Sequence, residues 1–129
     1  MRMASSINQV TFDARDGYAL AQFWAKVTGY TESPRYPNEP EDEENFIGPE
    51  GGRPGLLFIN VPEGKTVKNR LHLDISPYTT RDEEVERLVG LGATIFEDHR
   101  REDGSGWVTM LDPEGDEFCV ERSAAERGE

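Results

Sequence analysis

The sequence predicts an α+β fold: two βαβββ modules in one chain, their half-sheets curling around a shared cavity. Three observations carry this. Gly29 ends a helical stretch twenty positions after Gln9 opens an alternating strand, and Gly92 ends a second helical stretch twenty positions after His72 opens a second strand. A turn recurs too, Gly48-Pro49-Glu50-Gly51 in the first half and Asp112-Pro113-Glu114-Gly115 in the second, offset by 64 residues against 63 for the strand pair. At 129 residues the chain is one domain of ordinary size, and two copies are too few for a solenoid. The copies are therefore expected to be halves of one paired fold.

Each element has a local reason. From Ile7 to Asp13, Val10 and Phe12 alternate with Gln9, Thr11 and Asp13, a period-two strand. Asp16 suits an N-cap, and Leu20, Phe23, Trp24 and Val27 recur at helical spacing as core positions until Gly29 stops the helix after Thr28. Tyr30–Ser33 is expected to be a second strand. Pro34–Glu44 carries three prolines and five acidic residues and reads as a solvated loop or a lid. Glu44–Gly48 and Leu56–Val61 complete the first module, about 7–61. Residues 62–68, with Pro, Gly and Lys, form the linker. The second module, about 69–122, starts with Leu71, Leu73 and Ile75 alternating with Arg70, His72, Asp74 and Ser76. Thr80 or Asp82 caps a helix with Val85, Leu88, Val89 and Leu91 on its apolar stripe. Ala93–Asp98 is a strand, His99–Gly106 a polar loop, and Trp107–Leu111 with Glu117–Arg122 a hairpin. Residues 123–129 read as a frayed tail.

Composition narrows the partners. The formal net charge is −12, which argues against nucleic acid and against anionic membranes. Cys119 is the sole cysteine, so no intrachain disulfide forms and a reducing, cytoplasmic setting is expected. Residues 1–6 lack an apolar signal core, and no apolar stretch approaches the length of a spanning helix. Gly90-Leu-Gly-Ala-Thr-Ile follows a helix and lacks a third fingerprint glycine, so it is a helix stop and not a dinucleotide site. Gly104-Ser105-Gly106 has no nucleophile elbow around it.

Several residues carry potential chemistry. His72 with a nearby carboxylate, Glu121 or Asp74, is a workable general base, because imidazole titrates near neutrality and the carboxylate orients it. Asp74 shares the strand face of His72. Cys119 shares that of Glu121. Trp107 is a candidate aromatic wall for a ligand. Plainer readings stand beside these: a hydrogen-bonded histidine, a carboxylate paired with an Arg or with His72, edge-of-sheet packing for Trp107 and an inert filler at Cys119.

Taken in order, Phe23-Trp24, Thr28-Gly29-Tyr30, Asn69-Arg70-Leu71-His72-Leu73-Asp74, Leu91-Gly92-Ala93 and Asp112-Pro113-Glu114-Gly115-Asp116-Glu117-Phe118 resemble the vicinal oxygen chelate superfamily. Within it the chain is most similar to small glyoxalase-like, bleomycin-resistance-like proteins, from about Ile7 to Arg122. The resemblance implies a glyoxalase-like cupped sheet, a small-molecule ligand and a homodimer. It also implies metal ligands on the first and last strand of each module: Gln9, His72 and Glu121 by position, with Ile59 at the fourth place, where isoleucine cannot bind. Asn60, one step away, points to the other sheet face. Two functions follow. One is a binding module without a cofactor, holding a small, partly aromatic molecule near Gln9, Trp107 and Cys119. The other is a lyase or isomerase in which a divalent nickel, iron, manganese or zinc, bound by Gln9, His72 and Glu121, polarises vicinal oxygens while a side chain moves a proton, Asp74 being the candidate base on the strand face of His72.

Overall fold

A computed structural model describes residues 4–129; residues 1–3, part of the stretch read as lacking a signal core, lie outside the described residues. The chain divides into two compact units, residues 1–64 and 65–129. Among the described residues no helix is long and apolar enough to cross a membrane.

The first unit holds β1 (Gln9–Ala14), α1 (Gly17–Thr28), β2 (Glu44–Ile47) and β3 (Gly55–Asn60), with strand order β1-β3-β2. β1 and β3 run parallel, so a crossover must join them, and α1 supplies it. The Asp16 side chain accepts from the Ala19 N–H, and Gly29 adopts φ 79°, which a residue with a Cβ resists. Phe12 stacks on Phe58 with ring centroids 5.0 Å apart and tilts against Trp24 at 5.8 Å. Trp24 and Phe58 are fully buried, each stabilising the unit by roughly 2–3 kcal/mol. The Asn60 side chain accepts from the Gly17 N–H at 2.8 Å, tying the start of α1 to the end of β3.

The second unit holds β4 (Leu73–Ile75), α2 (Arg81–Leu91), β5 (Thr94–Asp98), β6 (Val108–Leu111) and β7 (Glu117–Val120), ordered β4-β7-β6-β5. Thr80, not Asp82, is the N-cap, accepting from the Glu83 N–H, and Gly92 closes the helix at φ 116°. Val85 and Leu88 are buried, as are Val108, Met110, Phe118 and Val120 of the sheet, and α2 packs on β5 and β7. The turn at Asp112 works through its carboxylate, which accepts from the backbone N–H groups of Glu114 and Asp116.

Three expectations need correction. Tyr30–Ser33 is not a strand: Thr31 bridges Gly48 and Ser33 bridges Tyr36, and no ladder continues from either. The alternation from Arg70 shortens to three residues, because Leu71 is exposed and His72 precedes the pairing of β4 with β7. The tail is not frayed. Ser123 is buried, its N–H donates to Glu126 Oε1 at 2.8 Å, and its hydroxyl accepts from the Glu126 N–H at 3.1 Å, a reciprocal capping box. The same Glu126 oxygen accepts from the Arg81 N–H at 2.7 Å, so the tail is docked on the first turn of α2.

Candidate functional site

One face of the second unit's sheet is apolar and covered by α2; the other carries polar side chains in register. Asp74 on β4 pairs with Cys119 on β7, Cys119 with Thr109 on β6, and Thr109 with Glu97 on β5. A single row of side chains thus crosses all four strands. His72 lies two residues before Asp74 and Glu121 two after Cys119, which puts both on this face. The Glu121 N–H donates to the Ile75 carbonyl at 2.9 Å, carrying the parallel pairing one step beyond β7.

These residues line a pocket of about 410 Å³ within the unit, with Trp107 and His99 also in its wall. The His99 and Trp107 rings stack at 4.6 Å, and the Arg101 guanidinium lies 5.8 Å from the Trp107 centroid. His99 Nε2 is 3.3 Å from Glu97 Oε1. Of the residues singled out from the sequence, His72, Asp74, Trp107, Cys119 and Glu121 come together here. Gln9 is exposed on β1 of the first unit, and Ile59 is half-buried on β3.

His72 Nδ1 lies 3.3 Å from Asp74 Oδ1, with the two side chains 41% and 50% exposed. Ring nitrogen, carboxylate oxygen and Cys119 Sγ lie within 4.8 Å of one another. The Thr109 hydroxyl is 3.4 Å from Cys119 Sγ. Burial pushes the Cys119 thiol up, the Thr109 hydroxyl works against that, and the charges of Asp74 and Glu121 add to it. Burial also raises Glu117, but the Asn69 N–H and the Lys65 ammonium, at 3.1 Å each, outweigh it and hold this carboxyl below its ordinary range. Of the divalent cations implied by the resemblance, zinc, nickel and iron suit an imidazole, a carboxylate and a thiolate in chemistry, and manganese does not.

Sequence reading set His99 aside as part of a polar loop and missed Glu97 and Thr109. The loop from His99 to Gly106 owes its shape to contacts distant in sequence. Arg81, 5% exposed, donates through Nη1 to the carbonyls of Gly104, Ser105 and Gly106, each at 3.1 Å. Gly106 has φ 94°, and a Cβ there would sit 2.0 Å from the His99 carbonyl oxygen. Arg100 is held by Asp98 at 2.7 Å and by Asp82 at 3.2 Å. The Arg100 guanidinium holds Asp98 well below the carboxylate range, at about 2. Register gave the one available signal: Glu97 sits in the row of Thr109 and Cys119.

A family model described as a glyoxalase-like domain matches residues 9–121. No curated protein matches the chain. Among solved structures, a glyoxalase/bleomycin resistance protein/dioxygenase family enzyme from Burkholderia phytofirmans PsJN is 20% identical, covering 90% of this chain and 97% of its own, with TM-score 0.67. A variant of the fosfomycin resistance protein FosX from Listeria monocytogenes, complexed with Mn(II) and a dihydroxypropylphosphonic acid, is 17% identical, covering 97% and 95%, with TM-score 0.69. Lactoylglutathione lyase from Agrobacterium tumefaciens is 20% identical, covering 99% and 100%, with TM-score 0.57. At these identities the likeness bears on the fold.

Proposed function

Because the chain belongs to the glyoxalase-like domain family of the vicinal oxygen chelate group, we propose that its second unit binds a small, partly aromatic, neutral or cationic molecule. The observation that carries this reading is the convergence of a stacked Trp107–His99 wall with His72, Asp74 and Glu121 on one pocket. A flat apolar wall with a few polar groups is the usual make-up of a small-molecule site. Asp74, Glu97, Glu117 and Glu121 outnumber Lys68 in the lining and favour a positive guest. The same reading has the protein cytoplasmic and homodimeric, which fractionation and sedimentation check. Calorimetric titration with catechol and with its cationic relative dopamine tests the ligand class. Dopamine is expected to bind at least tenfold tighter than catechol, and Trp107→Ala to lose most of that affinity. Equal binding to native and Trp107→Ala protein would sink the reading.

A second reading, a metal-dependent lyase or isomerase, is favoured by the presence of His72 and Glu121 in the same lining. A divalent cation there would polarise vicinal oxygens of a substrate. His72 and Glu121 would help hold that cation, and Asp74, on the strand face of His72, would accept a proton. Turnover of a glutathione hemithioacetal that His72→Ala abolishes would support it.

A further inference from the structure

We infer that His72, Asp74 and Cys119 form a thiolate-containing site for a zinc-class divalent cation. It differs in two of its three members from the set implied by the resemblance: Asp74 and Cys119 stand where Gln9 and Glu121 would. The inference goes beyond the proposed ligand reading, since it requires no guest molecule.

The strand pairing brings these donors together. Asp74 and Cys119 are direct cross-strand partners on β4 and β7, and His72 precedes Asp74 by two residues on the same face. Their ligating atoms already lie within 4.8 Å of one another. Zinc–ligand bonds of about 2.0–2.3 Å hold tetrahedral donors roughly 3.3–3.8 Å apart, so closure needs shifts of about 1 Å. His72 and Asp74 are half-exposed and free to make them, whereas the backbone of Cys119 is fixed inside β7, between β4 and β6.

Charge and softness agree with this. A thiolate and a carboxylate balance a dication, and a neutral imidazole adds no further charge. Sulfur and imidazole together select zinc and cobalt over manganese and magnesium, which prefer all-oxygen surroundings. The Thr109 hydroxyl, 3.4 Å from Cys119 Sγ, is placed to donate to a bound thiolate, the kind of outer partner that supports metal ligands. Three protein donors leave the fourth tetrahedral position open toward the pocket, as in catalytic zinc sites.

The test is cobalt titration of chelator-treated full-length protein, followed by absorbance. One equivalent of Co(II) should bring up a near-ultraviolet sulfur-to-cobalt charge-transfer band. Zinc should displace it stoichiometrically, and manganese at the same concentration should not. Cys119→Ser should remove the band, and His72→Ala and Asp74→Asn should each weaken cobalt binding tenfold or more. The latter two lie at exposed positions and keep the test valid if Cys119→Ser fails to fold. Absence of the band, its persistence in Cys119→Ser, or unchanged affinity in His72→Ala and Asp74→Asn would overturn the inference. The dopamine titration is run on the metal-free protein, so the ligand reading and the metal site can fail independently.

Discussion

The two units place matching strands under different side chains. In the first, the row across the sheet face turned from α1 reads Thr11, Leu57, Phe46. In the second, the corresponding row reads Asp74, Cys119, Thr109 and then Glu97 on the additional strand β5. The scaffolds agree closely: a parallel pair of strands, a helix between them, and a left-handed glycine ending that helix. The chemistry does not. The first unit spends its large side chains on aromatic packing around Trp24 and Phe58, and its last strand carries Ile59 where the second continues to Glu121. Repetition of a backbone is thus no guide to repetition of a site. A period-two pattern fixes which positions face away from the helix, and the residue types at those positions decide what the face can do.

This contrast can be broken most forcefully from the first unit. Phe58→Ala removes a fully buried ring that stacks on Phe12 and should cost about 3–5 kcal/mol, read by urea unfolding. The equivalent stroke in the second unit is Gly106→Ala. It sets a Cβ against the His99 carbonyl at a positive φ and should cost at least about 2 kcal/mol. It should also displace the His99–Trp107 stack, visible as a changed indole environment in fluorescence. Cys119→Leu sharpens the comparison by writing the first unit's residue into the second. Stability should stay within about 0.5 kcal/mol, since the side chain faces the pocket, while the cobalt band disappears. The smallest effect is a pH dependence. Asp98 titrates at about 2 when folded, held down by Arg100, against an ordinary 3.8. Its folded value is depressed, so its contribution is complete above the ordinary value and fades as pH falls from about 4 toward 2. Acid unfolding of Asp98→Asn should be correspondingly shallower in that window, modestly so because the pair is largely solvated.

What could be read in the sequence follows how local its cause is. Asp16, Gly29 and Gly92 announced both helices because caps act within one turn. Asp74 could be placed on the strand face of His72, and Cys119 on that of Glu121, because strand alternation is local too, whereas the pairing of β4 with β7 that joins the two pairs is not. Tyr30–Ser33 failed as a strand because a strand needs a partner running alongside it, and pairing stops after Thr31 with Gly48. The tail misled for a similar reason. Ser123-Ala-Ala-Glu126 spells a capping box, but its weight comes from the Arg81 N–H, remote in sequence. His99 was legible only as part of a polar loop, because the segment that presents it is shaped by Arg81 and by the absence of a side chain at Gly106.

Arg81 has a consequence that reaches past the loop. Its backbone N–H holds the Glu126 carboxylate, and its guanidinium holds the three carbonyls just before Trp107. The chain's last turn and the aromatic wall are therefore anchored to one residue, at the rigid start of a helix. A proteolytic nick at the tail, or a fusion partner that pulls on it, would be felt as slack in the tryptophan of the pocket.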